Sequence, residues 1–528
     1  MTHLILAGFM GTGKSTVGRA LAEQLRLPFV DSDERIEAVA AKPISQIFAD
    51  DGEEAFRALE TRVLASLLKE ESSVLALGGG TLVSAENLAL AKRAGPIICL
   101  KADPHTIYQR VKAQAGQRPL LKVAEPLAKI RELLETRQSS YAQADAQVNT
   151  TGLEPDEVVE QVMDWLNRVH VDLGERSYDL QIQEGCHAWV GPLLAKLPDR
   201  VSSAVLISNR DIDRSYGDAI RTSLEGAGIP HHTLLVPAGE RYKSLETASR
   251  LYGDLIQRKV DRKAVILALG GGVIGDLAGF VASTYLRGVR FTQLPTSLLA
   301  QVDSSIGGKV GVNHALGKNM IGAFLQPQFV LIDPNTLATL PIRELRSGIA
   351  EIIKHGVIWD EDFFAYLEGH VESILRLDPQ SMKHIIRRSC QIKAHVVEED
   401  EQESGLRAIL NFGHTAAHAV ETYTSYERYT HGEAVAIGMV IAARIAHSMN
   451  MLRAEPVHRL IRLLERFGLP THLPKADPGV LMSLMDSDKK AIAGTVRFIL
   501  PTKIGRVEIA NNVPRDILRR AIKESIEI

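Results

Sequence analysis

Gly8-Phe9-Met10-Gly11-Thr12-Gly13-Lys14-Ser15-Thr16 follows the apolar run 4–7 and leads into the amphipathic stretch 15–25. A strand, a tight glycine turn and a helix N-terminus aim several backbone N–H groups and the positive end of the helix dipole at one point, which suits a phosphate chain. In this loop Gly11, Thr12, Gly13 and Thr16 shape the nucleotide cradle, Lys14 reaches the β and γ phosphates, and Ser15 coordinates Mg²⁺. No Asn-Lys-x-Asp guanine-reading motif occurs, which argues against a GTPase. A second glycine loop, Gly270-Gly271-Gly272-Val273-Ile274-Gly275-Asp276, follows the apolar run 264–269 and opens an expected helix over 276–285. That context suits a dinucleotide pyrophosphate such as that of NAD. No acidic residue stands about 20 positions on at a strand end to take the ribose. The grip must come from elsewhere, with Asn209 after one strand and Glu240 and Lys243 after another as candidates. Two nucleotide loops of different kinds predict two chemistries.

Outward from the first loop, strands are expected at 4–7, 28–30, 74–77 and 97–100 and helices at 15–25 and 53–68, the rhythm of a parallel sheet. A closing helix over 155–169 would carry Val158, Val162, Trp165, Leu166 and Val169 on one face, which puts a boundary near His170. A second α/β rhythm has strands at 205–208, 232–236, 264–269 and 330–332 and ends near Pro341. Helices are then expected at 343–355, 381–397, 415–423, 433–450 and 457–467. The fold class is therefore α/β, with a P-loop parallel sheet over 1–168, a Rossmann-like domain over 171–341 and a mostly helical metal-binding domain over 342–528.

Composition is that of an ordinary enzyme. Among 528 residues, 61 Lys and Arg against 64 Asp and Glu leave a formal charge of −3, with no basic excess for nucleic acid. The apolar runs 4–10 and 434–443 are too short to span or target, so no membrane attachment is expected. Cys99, Cys186 and Cys390 are scattered, which argues for a reducing compartment, the cytoplasm, and against a thiolate zinc site.

The acceptor for the first loop is suggested by Phe29-Val30-Asp31-Ser32-Asp33, which ends a strand with two carboxylates at the edge where open sheets bind ligands. Gly52-Glu-Glu-Ala-Phe-Arg57-x-x-Glu60, the glycines 78–80, Arg118-Pro-Leu-Leu and Arg137-x-x-x-Tyr141 follow in order. With the P-loop, this set resembles shikimate kinase over residues 1–168. The resemblance implies that Asp31 holds Mg²⁺ through water, that Asp33 contacts the shikimate hydroxyls and orients the attacking one, and that Arg57 and Arg137 clamp the carboxylate. It further implies that Gly79 and Gly80 let the ring approach and that Arg118 closes over the phosphates.

For metal, the second half offers Glu351-Ile-Ile-Lys354-His355, His414-Thr-Ala-Ala-His418 and His431-Gly-Glu433. His414 and His418 lie one helical turn apart, the spacing of a two-histidine zinc site, but the Glu of a zincin motif is missing. One Glu and two His from separate helices would instead form an open catalytic site. Leu173-Gly-Glu-Arg-Ser-Tyr178, the stretch 270–290, Leu294-Pro-Thr296-Ser297, Ser304-Ser-Ile-Gly-Gly-Lys309, Gly317-Lys318-Asn319 and Leu410-Asn411-Phe-Gly-His414-Thr together resemble 3-dehydroquinate synthase from about residue 171 onward. That family is NAD- and metal-dependent (Zn²⁺ or Co²⁺) and usually dimeric. The resemblance assigns Glu351, His414 and His431 to the metal and turns His418 to the substrate phosphate. It gives Asn209, Glu240, Lys243, Gly271, Gly272, Asp276, Thr296 and Ser297 to NAD. Asp303, Lys309, Lys318, Asn319, Lys354, Arg407, Asn411 and one of Lys489 and Lys490 fall to the phosphorylated seven-carbon substrate, with Arg287 reaching across a dimer interface. Ser297 replaces the second Thr of a pair common in the family and keeps the hydroxyl.

Together the resemblances imply a bifunctional enzyme of aromatic biosynthesis. One module phosphorylates shikimate with ATP, and the other converts 3-deoxy-D-arabino-heptulosonate 7-phosphate to 3-dehydroquinate, with NAD as a transient hydride store. The alternatives are a silent, regulatory module, or a metal-dependent polyol dehydrogenase in the second half, against which the cations Lys309 and Lys318 argue.

Overall fold

In the computed structural model, which describes residues 3–112, 123, 125–486 and 497–527, the chain divides into the units Met1–Leu166 and Asn167–Ile528. The first is built on an all-parallel sheet in the order Phe29–Asp31, Val74–Ala76, Leu4–Gly8, Ile97–Lys101, Ala146–Asn149. Leu4–Gly8 is buried on both faces, which is why its apolar residues run consecutively rather than alternate. Ile5 and Ala7 pack with Ile36, Val63 and Leu64, whereas Leu4 and Leu6 pack with Val17, Leu21 and Val162. Strand order reverses at this central strand, so the P-loop that leaves its C-terminal end opens into the crevice where such sheets bind ligands. Ala146–Asn149 was not anticipated, because only Val148 in it is buried. The closing helix runs Pro155–Asn167 and stops short of Val169.

Val169 instead lies in the strand Arg168–Val171, which pairs antiparallel with Tyr178–Ile182 at the edge of a seven-stranded sheet. His170, expected at a boundary, is thus inside an element of the second unit. The remaining order is Phe329–Ile332, Arg290–Pro295, Val265–Gly270, Ala204–Ser208, His231–Leu235, all parallel from Tyr178–Ile182 onward. Arg290–Pro295 escaped the sequence reading because it buries Thr292 and Gln293 among its apolar residues. The helix Gly272–Thr284 starts directly on the glycine loop, four residues earlier than expected. A Cβ on Gly275 would lie 2.6 Å from the Gln293 side chain, so the third glycine of the motif permits close helix–strand packing.

A hairpin, Lys309–His314 and Gly317–Phe324, extends from this part of the unit. Beyond Pro341 the helices Ile342–Trp359, Pro379–Glu399, His414–Tyr423, His431–Ser448 and Ala454–Arg466 share one core, followed by the hairpin Phe498–Lys503 and Arg506–Ala510. From Ile349 to Ile358 every residue of the first of these helices is buried, Glu351, Lys354 and His355 included. Charges so placed must be paired or ligating. Among the described residues no helix is long and apolar enough to cross a membrane.

Candidate functional sites

In the first unit, Gly11 and Gly13 take left-handed conformations (φ 76° and 95°) that let the loop turn its amides inward ahead of the helix Lys14–Leu25. Thr12 Oγ1 donates to the Phe9 carbonyl at 2.8 Å, and Lys14 Nζ donates to the carbonyls of Gly8 (2.8 Å) and Phe9 (3.1 Å). Ser15 Oγ donates to Asp31 Oδ2 at 2.8 Å, and Asp31 Oδ1 accepts from the Asp33 amide at 3.0 Å. Asp31 is therefore both a helix cap and a partner of the P-loop serine. Burial, then the neighbouring Asp31, pushes the Asp33 carboxyl up to about 6, against the pull of Lys14.

The glycines 78–80 bring the rest together. A Cβ on Gly78 would meet Asp33 Oδ1 at 2.6 Å, and one on Gly80 would meet the Arg57 guanidinium at 2.9 Å. The Gly79 carbonyl accepts from Arg137 Nη1 (2.8 Å) and Tyr141 OH (2.6 Å). Arg57 is oriented by Glu60 at 2.9 Å, a buried carboxylate that also accepts from Thr81 Oγ1 at 2.7 Å. Lys14, Asp31, Asp33, Arg57 and Arg137 thus converge on one end of the sheet, whereas Arg118 lies outside the described residues. Arg110 was missed by the sequence reading. It donates to Thr150 (2.9 and 3.0 Å) and reaches the Gly11 carbonyl at 3.4 Å, and its place on an ordinary amphipathic helix gave no signal.

In the second unit, one ligand atom each from Glu351, His414 and His431 lie within 4.8 Å of one another, the one such His, Cys, Asp and Glu group among the described residues. Glu351 Oε1 is 3.6 Å from His414 Nε2 and 3.5 Å from His431 Nε2, and Glu351 is fully buried. Neither Glu351 oxygen has a hydrogen bond of good geometry, although Lys354 Nζ forms an ion pair with Oε2. Burial disfavours its charge, but Lys354, His414 and His431 together hold the carboxyl well below its usual range. A buried, under-bonded carboxylate facing two imidazole Nε2 atoms fits a divalent metal with positions left for substrate. His418, the partner suggested by spacing, stands outside this group, with its ring edge-on to His414 at 5.9 Å.

Around this group, Asp303 accepts from Lys393 Nζ at 2.7 Å and lies 3.9 Å from Lys354 Nζ. Burial alone would raise the Asp303 carboxyl, but these two lysines hold it far below its ordinary range. Burial in turn lowers Lys393 to about 8. Lys393 was not singled out from sequence, since a lone lysine on an amphipathic helix reads as solvated; only packing shows it buried. Glu403 pairs with Lys309 and accepts from Asn411 Nδ2 at 2.7 Å. Arg407 is 2% exposed and donates to the Gly307 carbonyl at 3.0 Å. Lys318 Nζ lies 3.9 Å from Glu421 and 4.0 Å over the Tyr426 ring. Asn319 adopts a left-handed conformation and donates its amide to Asn313 at 2.9 Å.

At the glycine loop, Gly271 and Gly272 leave cradles that a Cβ would fill to within 3.2 Å of Ser297 Oγ and 3.1 Å of Ser304 Oγ. Lys243 Nζ donates to Asp276 at 2.9 Å and sits 3.4 Å from Glu240, and Asn209 caps the turn Arg210–Ile212. The Thr296 amide donates to the Gly270 carbonyl at 3.0 Å. Arg287 is exposed, with φ 69°, on the turn after the helix. Lys489 and Lys490 lie outside the described residues.

Family models described as shikimate kinase, 3-dehydroquinate synthase N-terminal and 3-dehydroquinate synthase C-terminal match residues 10–167, 233–347 and 348–491. A 3-dehydroquinate synthase of Picosynechococcus sp. is 50% identical over 352 residues, covering 66% of this chain and 96% of that protein. The 2-epi-5-epi-valiolone synthase of Streptomyces hygroscopicus subsp. jinggangensis, solved with NAD⁺ and Zn²⁺ bound, is 30% identical with a TM-score of 0.61 over 67% of this chain and 98% of that one. A 2-deoxy-scyllo-inosose synthase solved with carbaglucose-6-phosphate, NAD⁺ and Co²⁺ is 28% identical with a TM-score of 0.62, over 68% and 100%.

Proposed function

Because the chain belongs to the 3-dehydroquinate synthase family and carries a shikimate kinase domain ahead of it, we propose that the residues described above divide two reactions between them. It is a bifunctional enzyme of the shikimate pathway, a kinase and a cyclising phosphate-lyase. Residues 1–166 phosphorylate shikimate, 167–341 bind NAD and lend Asp303, Lys309, Lys318 and Asn319 to the sugar-phosphate site, and 342–528 bind metal and the rest of the seven-carbon sugar phosphate.

In the kinase, Mg²⁺ would supply charge neutralisation on the nucleotide. The joined Ser15 and Asp31 fit its coordination, and Lys14 takes the transferring phosphate. Asp33, ionised above about pH 6, orients the attacking hydroxyl. Arg57 and Arg137, set by Glu60 and Gly79, clamp the carboxylate. Such a division suits phosphoryl transfer, where positioning and charge do most of the work.

In the synthase, the observation that carries the reading is Glu351 with His414 and His431, a buried carboxylate facing two imidazoles. A Zn²⁺ or Co²⁺ ion there would supply Lewis acidity toward a substrate alcohol, and NAD would supply reversible hydride acceptance. Gly271, Gly272, Thr296, Ser297, Asn209, Glu240, Lys243 and Asp276 hold and orient the dinucleotide. Lys354 and Asp303, paired in the interior, manage the proton of the reacting alcohol. Lys309, Lys318, Asn319, Arg407, Asn411 and His418 bind the phosphate and hydroxyls. The module works as a homodimer with Arg287 crossing the interface. The protein resides in the cytoplasm, in keeping with three buried free cysteines.

The test is an assay of the full chain for ATP-dependent phosphorylation of shikimate and for phosphate release from 3-deoxy-D-arabino-heptulosonate 7-phosphate. Both are expected. Absence of one would leave that module regulatory, and steady NADH release would favour a dehydrogenase.

A further inference from the structure

The two imidazoles of the metal group are steered by different partners. His414 turns Nδ1 toward the Phe412 carbonyl at 3.1 Å, a neutral backbone acceptor in the turn just before its own helix. His431 turns Nδ1 toward Glu421 Oε1 at 3.4 Å, so this ring lies between two carboxylates, with Glu351 3.5 Å from Nε2. Glu421 is 5% exposed and belongs to the helix His414–Tyr423, the same helix that supplies His414. Burying a carboxylate is costly unless it is paired. Here the partners are His431 and, at 3.9 Å, Lys318 Nζ.

We infer that Glu421 is a positioning residue for the metal: it fixes the His431 ring with Nε2 toward Glu351, raises the basicity of that nitrogen, and ties the metal ligand to Lys318 on the hairpin. A carboxylate behind a ligating histidine commonly does this, and its loss costs about 10- to 100-fold in metal affinity. One helix then serves the site twice, through His414 directly and through Glu421 one ligand removed. The inference rests on the metal reading of Glu351, His414 and His431 given above.

Full-length wild type, Glu421→Gln, Glu421→Ala and His414→Ala, stripped of metal, would be titrated with Zn²⁺ against a chromophoric chelator. Co²⁺ spectra of the same proteins would report ligand geometry, and apo-protein melting would report folding. Glu421→Gln keeps an acceptor for Nδ1–H and lacks the charge. It is expected to bind Zn²⁺ about 10-fold more weakly, Glu421→Ala up to about 100-fold more weakly with an altered Co²⁺ spectrum, and His414→Ala to lose the ion. If wild type binds, His414→Ala does not, and Glu421→Gln matches wild type in affinity and spectrum, the inference is overturned while the metal site stands. If wild type binds no ion, the metal site falls and the inference with it. Should Glu421→Ala melt far below the others, the near-isosteric Glu421→Gln decides alone.

Discussion

Ser15 Oγ donates to Asp31 Oδ2 over 2.8 Å, joining the start of one helix to the end of a neighbouring strand at the ligand edge of the first sheet. The bond places a hydroxyl and a carboxylate side by side before any ion arrives, with Lys14 folded on the loop carbonyls beside them. Lys14→Ala is therefore expected to lower shikimate phosphorylation by about 10³-fold or more, since it removes the main cation on the transferring phosphate. Phosphate release by the synthase should stay within about twofold. Loss of both activities in a folded variant would show that the modules are not chemically independent.

Asp33 titrates at about 6, raised first by burial and then by Asp31. Below that pH it is protonated and cannot accept from the attacking hydroxyl. In the free enzyme, kcat/KM for shikimate should fall about tenfold per pH unit below about 6 and level off above it. A profile flat from about pH 5 to about 7 at Mg·ATP well below its KM, where the free enzyme predominates, would remove Asp33 from the role of orienting group.

His414 and His418 share a helix, but only His414 faces Glu351, at 3.6 Å. His414→Ala should lose bound metal and synthase activity together, by about 100-fold or more. His418→Ala should retain the ion and lose turnover. Metal analysis of the two purified variants decides it, and the reverse pattern would mean the ligand set is wrong.

The division between Leu166 and Asn167 precedes the strand Arg168–Val171, in which Val169 and Val171 are 5% and 0% exposed. A synthase fragment starting at Asn167 is expected to keep kcat and KM within a few-fold of the full chain. One starting at Asp172 lacks two buried valines and an edge strand, and should be less stable by about 3 kcal/mol or more. Equal denaturation midpoints for the two fragments would contradict this. The synthase product and shikimate are separated by a dehydration and a reduction, so no direct transfer between sites is expected, and isolated fragments should lose no coupled flux.

Much of the site was legible because its signals are local. A glycine loop between an apolar run and an amphipathic stretch turns backbone amides and a helix N-terminus toward a phosphate group, and both nucleotide loops lie between strand and helix as expected. Apolar runs such as Val265–Gly270 identify strands buried on both faces. Where burial is one-sided or polar residues are enclosed, as in Ala146–Asn149 and Arg290–Pro295, the pattern weakens and the strands were missed.

Residue spacing by itself did not contain which distant groups meet. Spacing favoured His414 with His418, because residues four apart share a helix face; the fold instead carries His431 to Glu351 from another helix, within 3.5 Å. Lys393, Arg110 and Glu421 read as solvated charges on amphipathic helices. Two of them are buried by packing, Lys393 on Asp303 and Glu421 behind His431, while Arg110 is drawn to Thr150 and the P-loop. Local chemistry determined the two nucleotide loops and the α/β class. The family resemblance already assigned Glu351, His414 and His431 to the metal; only tertiary packing decided their mutual geometry and the charges that steer them, because desolvation and pairing depend on neighbours that sequence distance does not reveal.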